Sequence, residues 1–109
     1  MAKDVIVPIE MQSIDVSTIG AGAFSEVGNP LEGALSFIRI TNDSNTDVII
    51  SYDGITDHEY VPGGERISTY FQANATGANE VSKLSNRTIV FIRGTAGVGD
   101  VYVSGYYNE

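Results

Sequence analysis

The residues best suited to chemistry lie together: Asp53, Asp57, His58 and Glu59 gather around Gly54 in the stretch SYDGITDHEY. Carboxylates spaced four apart around a glycine turn can contribute to a Ca²⁺ site, which takes about six to eight oxygen ligands. Asp53 and Asp57 are therefore the candidate calcium ligands. Their spacing does not follow an EF-hand loop, which places acids at alternate early positions and a glutamate at the twelfth. The competing reading makes both aspartates turn residues, because Asx side chains accept hydrogen bonds from backbone amides two or three positions on. This turn reading is the stronger of the two. His58 is the chain's single histidine, and there is no cysteine. A zinc centre of three or four nitrogen and sulfur ligands is thereby excluded.

Hydrolytic chemistry finds little support. One histidine is enough for a Ser-His-Asp triad, but no Gly-x-Ser-x-Gly nucleophile elbow occurs. A glycosidase carboxylate pair is defined in space and not by sequence spacing, yet a domain of 109 residues offers little room for a deep cleft. No enzymatic activity and no cofactor are expected. Gly94, Gly97 and Gly99 invite a phosphate-loop reading, but the segment after them, DVYVSGYY, is a strand and not the helix such a loop requires. They are read as the tip of a hairpin. Tyr102, Tyr106 and Tyr107 crowd the last segment. A tyrosine ring is apolar with a polar tip, so a row of them serves equally as sheet packing or as an interface. Tyr52 and Tyr102 are assigned to packing, and Tyr106 and Tyr107 to candidate partner binding.

The elements that must position these residues are all strands. Residues 4–11 form a short β-prone run with Pro8 inside it, which marks an edge strand or a docking arm. Alternation over residues 13–19 predicts a half-buried strand. Residues 20–33, GAGAFSEVGNPLEG, read as a long loop anchored by Phe24 and Val27, both further candidates for partner contact. Residues 35–71 read as a meander: a central strand over 35–41, a turn at 42–46, a strand at 48–53, a short strand at 59–61 and another at 66–72. Residues 73–86 form a second long connection with one helical turn near 80–84. Strong strands follow at 88–93 and 101–107, joined as a hairpin. The expected fold is all-β: a single-domain antiparallel β-sandwich of seven or eight strands, jelly-roll or immunoglobulin-like. Residues 1–12 are its N-terminal arm or edge strand, and 13–109 the sandwich proper.

Composition limits the partners. The formal net charge is −8, which opposes general nucleic-acid binding and anionic membrane surfaces, since both need Lys and Arg. No segment nears the roughly 20 apolar residues of a membrane span, and the first ten residues do not read as a signal peptide. A hydrophobic content of 42% marks a globular chain.

The stretches FIRITNDSNTDVIISYDGITDHEYVPGG, the Phe71-Gln72-Ala73-Asn74 step and RGTAGVGDVYVSGYY resemble small β-rich accessory virion proteins of tailed bacteriophages, over roughly residues 35–107. The resemblance implies a structural role in a particle, as a capsid decoration or as a neck or tail component. It implies other virion proteins as partners, assembly as a homo-oligomer and location in the virion, and it transfers no catalytic residue. A carbohydrate-binding host-adhesion module is the alternative, motivated by the tyrosines and the 53–59 turn.

Overall fold

The computed structural model describes residues 6–70 and 87–108. The expected connection at 73–86, with its helical turn near 80–84, lies outside the described residues. Among the described residues there are nine strands: β1 (Ile6–Pro8), β2 (Gln12–Asp15), β3 (Ser25–Glu26), β4 (Leu35–Ser44), β5 (Val48–Ser51), β6 (Glu59–Val61), β7 (Arg66–Tyr70), β8 (Phe91–Gly94) and β9 (Gly99–Asn108). They form two antiparallel sheets. One has the order β1-β9-β4-β7 with β2 also paired to β9, and the other the order β3-β8-β5-β6. The protein is an all-β sandwich.

The pairing is nested. β1 and β2 pair with β9, β3 with β8, β4 with β7 and β5 with β6, and successive pairs fall in alternate sheets. A long hairpin folded over itself in this way has the connectivity of a jelly roll. The immunoglobulin alternative is set aside, because its topology does not nest every pair around one central hairpin. The nine segments fill eight strand positions, since β1, Ile9 and β2 run along β9 as one interrupted strand. Ile9 keeps contact by donating its N–H to the Gly105 carbonyl at 3.0 Å. Pro8 and Gln12 sit opposite Tyr106 and Val103, so residues 9–11 bulge against 104 and 105.

Several expectations are corrected. Residues 35–71 do not form a meander: β4 and β7 lie in one sheet and embrace the β5–β6 hairpin of the other. β8 and β9 are not a hairpin but belong to different sheets, so residues 95–98 cross between layers. The three glycines expected at a hairpin tip serve that crossing. A Cβ at Gly94 would stand 2.6 Å from the Asp47 carbonyl oxygen, and one at Gly97 2.4 Å from Asn45 Oδ1. The strand expected over 13–19 stops at Asp15, whose Oδ1 accepts the Ser17 N–H at 2.9 Å and caps a 3₁₀ turn at Val16–Thr18. The 20–33 loop contains β3. The turn expected at 42–46 begins later, because β4 continues to Ser44.

Asn42 explains that last difference. It is fully buried, one residue past the end of the β4–β7 pairing, where β4 continues against β9 alone. Its Nδ2 donates to the carbonyls of Thr46 at 2.8 Å and Val61 at 3.0 Å, and its Oδ1 accepts from the Ser44 hydroxyl. One side chain thus satisfies backbone groups of the arch to β5 and of β6 in the facing sheet.

The core lies between the layers. Leu35, Ile38, Ile40, Val101 and Val103 come from one sheet and Val48, Ile50, Val61 and Ile92 from the other, closed by Val16, Ile19, Val27 and Leu31. Burying each such aliphatic side chain contributes about 1.5–3 kcal/mol. On the outer face of the larger sheet, Asp15 and Asp43 both stand directly opposite Asp100, in a row of three carboxylates across adjacent strands.

Candidate functional site: the 51–58 turn and its ion pair

The turn between β5 and β6 is built on Asp53. Its Oδ1 accepts the N–H groups of Ile55 and Thr56, each at 2.8 Å, and the Ser51 hydroxyl at 2.9 Å. Ser51 Oγ in turn accepts the Gly54 N–H at 2.9 Å. The Thr56 amide foremost, then that of Ile55, holds the Asp53 carboxyl far below the usual range. Gly54 has φ 78° and lies against the Phe91 ring, which a Cβ would approach to 3.1 Å.

The mouth of the turn is closed by His58. Its N–H donates to the Ile50 carbonyl at 2.9 Å, and its Nδ1 accepts the Tyr52 N–H at 3.0 Å. The two rings stack with centroids 5.5 Å apart and planes at 27°. The Tyr52 hydroxyl is buried without a hydrogen-bond partner among the described residues, and burial, with Glu59 nearby, pushes its ionisation well above the ordinary phenol range.

Asp57 faces the other way, toward β8. Arg93 donates Nε to Oδ1 at 3.2 Å and Nη2 to Oδ2 at 2.7 Å, a forked pair. Its Nη1 donates to the Ala21 carbonyl at 2.9 Å, and its guanidinium lies 5.7 Å from the Phe24 ring centroid. Arg93 holds the Asp57 carboxyl below its ordinary value, and Asp57 raises the guanidinium in return. The result is an open groove with Ala21, Gly22 and Phe24 on one side, Gly54 and Ile55 on the other, and the ion pair between them. Ile55 is 83% exposed at its rim.

The structure gives Asp53 and Asp57 separate tasks, one binding amides and one binding a guanidinium. No group of three or more His, Asp or Glu side chains is placed to hold a metal ion among the described residues; Asp53 binds backbone amides as the turn reading expects, whereas Asp57 binds the Arg93 guanidinium instead. His58 offers no free Nδ1 for proton abstraction. Of the residues expected to bind partners, Phe24 lies half-buried in the groove. Val27 is 1% exposed and belongs to the core, so its side chain is not available to a partner. Tyr107 packs against that core from the inner face of β9. Tyr106 is on the outer face, 41% exposed, with its ring 5.8 Å from that of Phe37.

Arg93 is the residue that sequence reasoning missed. The available signal was a guanidinium placed inside an apolar strand, FIRG. A second pair was also missed: Asp47 accepts the Gly63 N–H and the Tyr60 hydroxyl, each at 2.9 Å, and fixes a tyrosine that is 58% exposed.

These features define an acidic jelly-roll domain with a rigid, ion-paired turn beside a shallow groove. Compared with known protein families, with curated proteins and with solved structures, the chain matches none.

Proposed function

We propose that this chain is a non-enzymatic structural protein of a bacteriophage virion, a capsid decoration that binds and stabilises the particle. The observation that carries this reading is the nested jelly-roll pairing, an architecture that recurs in viral capsid proteins. The sequence resemblance over residues 35–107 supports it. So does a surface that presents isolated apolar side chains, Ile6, Met11, Ile55, Val98 and Tyr106, on a domain whose net charge is −8. Such a surface suits docking on a neighbour while keeping the free protein dispersed. The partners are other virion proteins, at the capsid or at the neck or tail, and further copies of the chain.

The test is quantitative mass spectrometry of purified particles, followed by their reconstruction. Stoichiometric copies on the capsid lattice are expected. Copies confined to the neck or tail replace decoration by the neck or tail alternative, and absence from particles overturns the reading altogether.

A carbohydrate-binding host-adhesion module is the second reading. Jelly rolls also serve as lectins, and Tyr60 is held out by its bond to Asp47 as a stacking ring would be. It predicts glycan-array signals that fall on Tyr60→Ala and Tyr106→Ala.

A further inference from the structure

We propose that the 51–58 turn is a latch that neutral His58 keeps shut and protonated His58 releases. The geometry assigns the tautomer. Nδ1 receives the Tyr52 N–H at 3.0 Å, so it carries no proton, and in the neutral ring the proton is on Nε2. The protonated imidazolium has two donors and no acceptor. On protonation, Nδ1–H and the Tyr52 N–H meet as two donors, and their bond is lost.

The surroundings contain carboxylates, but none of them replaces that bond. The carboxylates of Asp57 and Glu59 flank His58 in the chain. Asp57 is shared with Arg93 of β8 at 2.7 Å. From β5, Tyr52 contributes a stacked ring whose hydroxyl is buried. Ile49 and Tyr60 line the shallow depression beside the ring, and the Tyr60 hydroxyl is engaged by Asp47. These are the titratable and charged groups around the imidazole among the described residues. A protonated His58 therefore turns from the Tyr52 amide toward a carboxylate, where it competes with Arg93 for Asp57.

The Asp53 contacts to Ser51, Ile55 and Thr56 do not involve His58, so the tip of the turn stays knotted while its mouth opens. Release thus loosens the mouth at the Tyr52 amide, while the His58 backbone N–H keeps the Ile50 carbonyl at 2.9 Å. Histidine changes charge between about pH 5 and 8, and as the chain's single histidine His58 is the only imidazole that can drive this step.

Nuclear magnetic resonance of the labelled full chain tests the latch. Ring nitrogen shifts identify the tautomer, ring carbon shifts follow the titration, and hydrogen exchange reads the Tyr52 amide. The expected result is an Nε2–H tautomer at the alkaline end. Tyr52 protection should fall by about five- to tenfold in step with ring protonation, while amides of the β4–β9 pair hold. His58→Asn places an amide oxygen where Nδ1 was and does not titrate, so its Tyr52 protection should stay flat. An Nδ1–H tautomer overturns the proposal. So does unchanged Tyr52 protection through the whole ring titration, or the same loss in His58→Asn, which would assign the opening to Asp53 and Asp57. If the variant does not fold, the tautomer and the wild-type titration decide the matter by themselves.

Discussion

Arg93 and Asp57 meet through two parallel hydrogen bonds of 2.7 and 3.2 Å although 36 residues separate them in the chain. The same guanidinium also holds Ala21, so three segments with no local reason to associate are tied at one side chain. A lysine has neither the fork nor the planar face. Arg93→Lys should lower the melting midpoint, and hydrogen exchange should quicken at residues 21–24 and 53–57 before it does elsewhere. The Asp57 side chain is half exposed, so added salt should narrow the difference between variant and wild type. Calorimetry at low and high salt checks both parts.

Asn42 carries a different kind of weight. Removing its amide leaves the Thr46 and Val61 carbonyls without that donor. The Thr46 carbonyl keeps the Ser44 hydroxyl at 3.2 Å, so Asn42→Ala should cost on the order of 1–3 kcal/mol through the Val61 carbonyl, measured by urea unfolding. A loss within experimental error would mean that water replaces the side chain.

Gly99 has φ 118°, and a Cβ there would stand 2.3 Å from the Asp43 carbonyl oxygen. The backbone conformation alone costs a side chain about 1–3 kcal/mol, and the clash adds to it. Gly99→Ala should therefore unfold at clearly lower denaturant than Gly20→Ala, since a Cβ at Gly20 meets nothing within 4 Å. Equal midpoints for the two variants would contradict the close packing of the crossing.

The row Asp15, Asp100, Asp43 sets like charges directly opposite one another, an arrangement that weakens a sheet. Asp100→Asn should raise the melting midpoint, by more at low salt than at high. A decrease would show that the Tyr102 hydroxyl, 3.5 Å from Asp100 Oδ2, outweighs the repulsion.

The acid limb of stability follows from four carboxylates held below their ordinary range. Asp15, Asp47 and Asp53 are lowered chiefly by the backbone N–H groups of Ser17, Gly63 and Thr56, and Asp57 by Arg93. The folded state thus binds these protons less readily than the unfolded chain does. Their contribution is complete above the unfolded carboxylate range, near pH 4, and is lost as pH falls through the lower folded values. These four carboxylates should contribute equally from about pH 7 to 5 and make the melting midpoint decline below about pH 4, so that any change between pH 7 and 5 belongs to the His58 latch. Asp53→Asn keeps an acceptor oxygen but removes one titrating group, so its decline should be shallower.

The strands were legible in the sequence where alternation is strong, as in Ile38, Ile40 and Val101, Val103, and the central place of the strand at 35–41 followed from apolar residues on both its faces. The pairing was not. A glycine-rich tip such as GTAGVGD suits a hairpin and an inter-sheet crossing equally, and only the nested partners of β8 and β9 decide between them. β3, two residues long, has no periodicity to read. The extension of β4 past Thr41 was hidden because Asn42 looks like turn chemistry, and its buried role depends on Val61 across the sandwich. At the site, the Asp53 turn was legible because its donors are two and three residues away. The Arg93–Asp57 pair was not, because nothing local joins a strand arginine to a turn aspartate.

β9 touches β1, β2 and β4 and forms the spine of its sheet, yet it is the last strand in chain order. During synthesis, β4 and β7 can meet early, but the N-terminal strands have no sheet to join until residues 99–108 are free. Assembly of this layer therefore waits for residues 99–108, and the long loop closure between them and residues 6–15 makes that step slow. Until then β1 and β2 present unpaired edges, so the nascent protein is open to off-pathway association there until β9 is available.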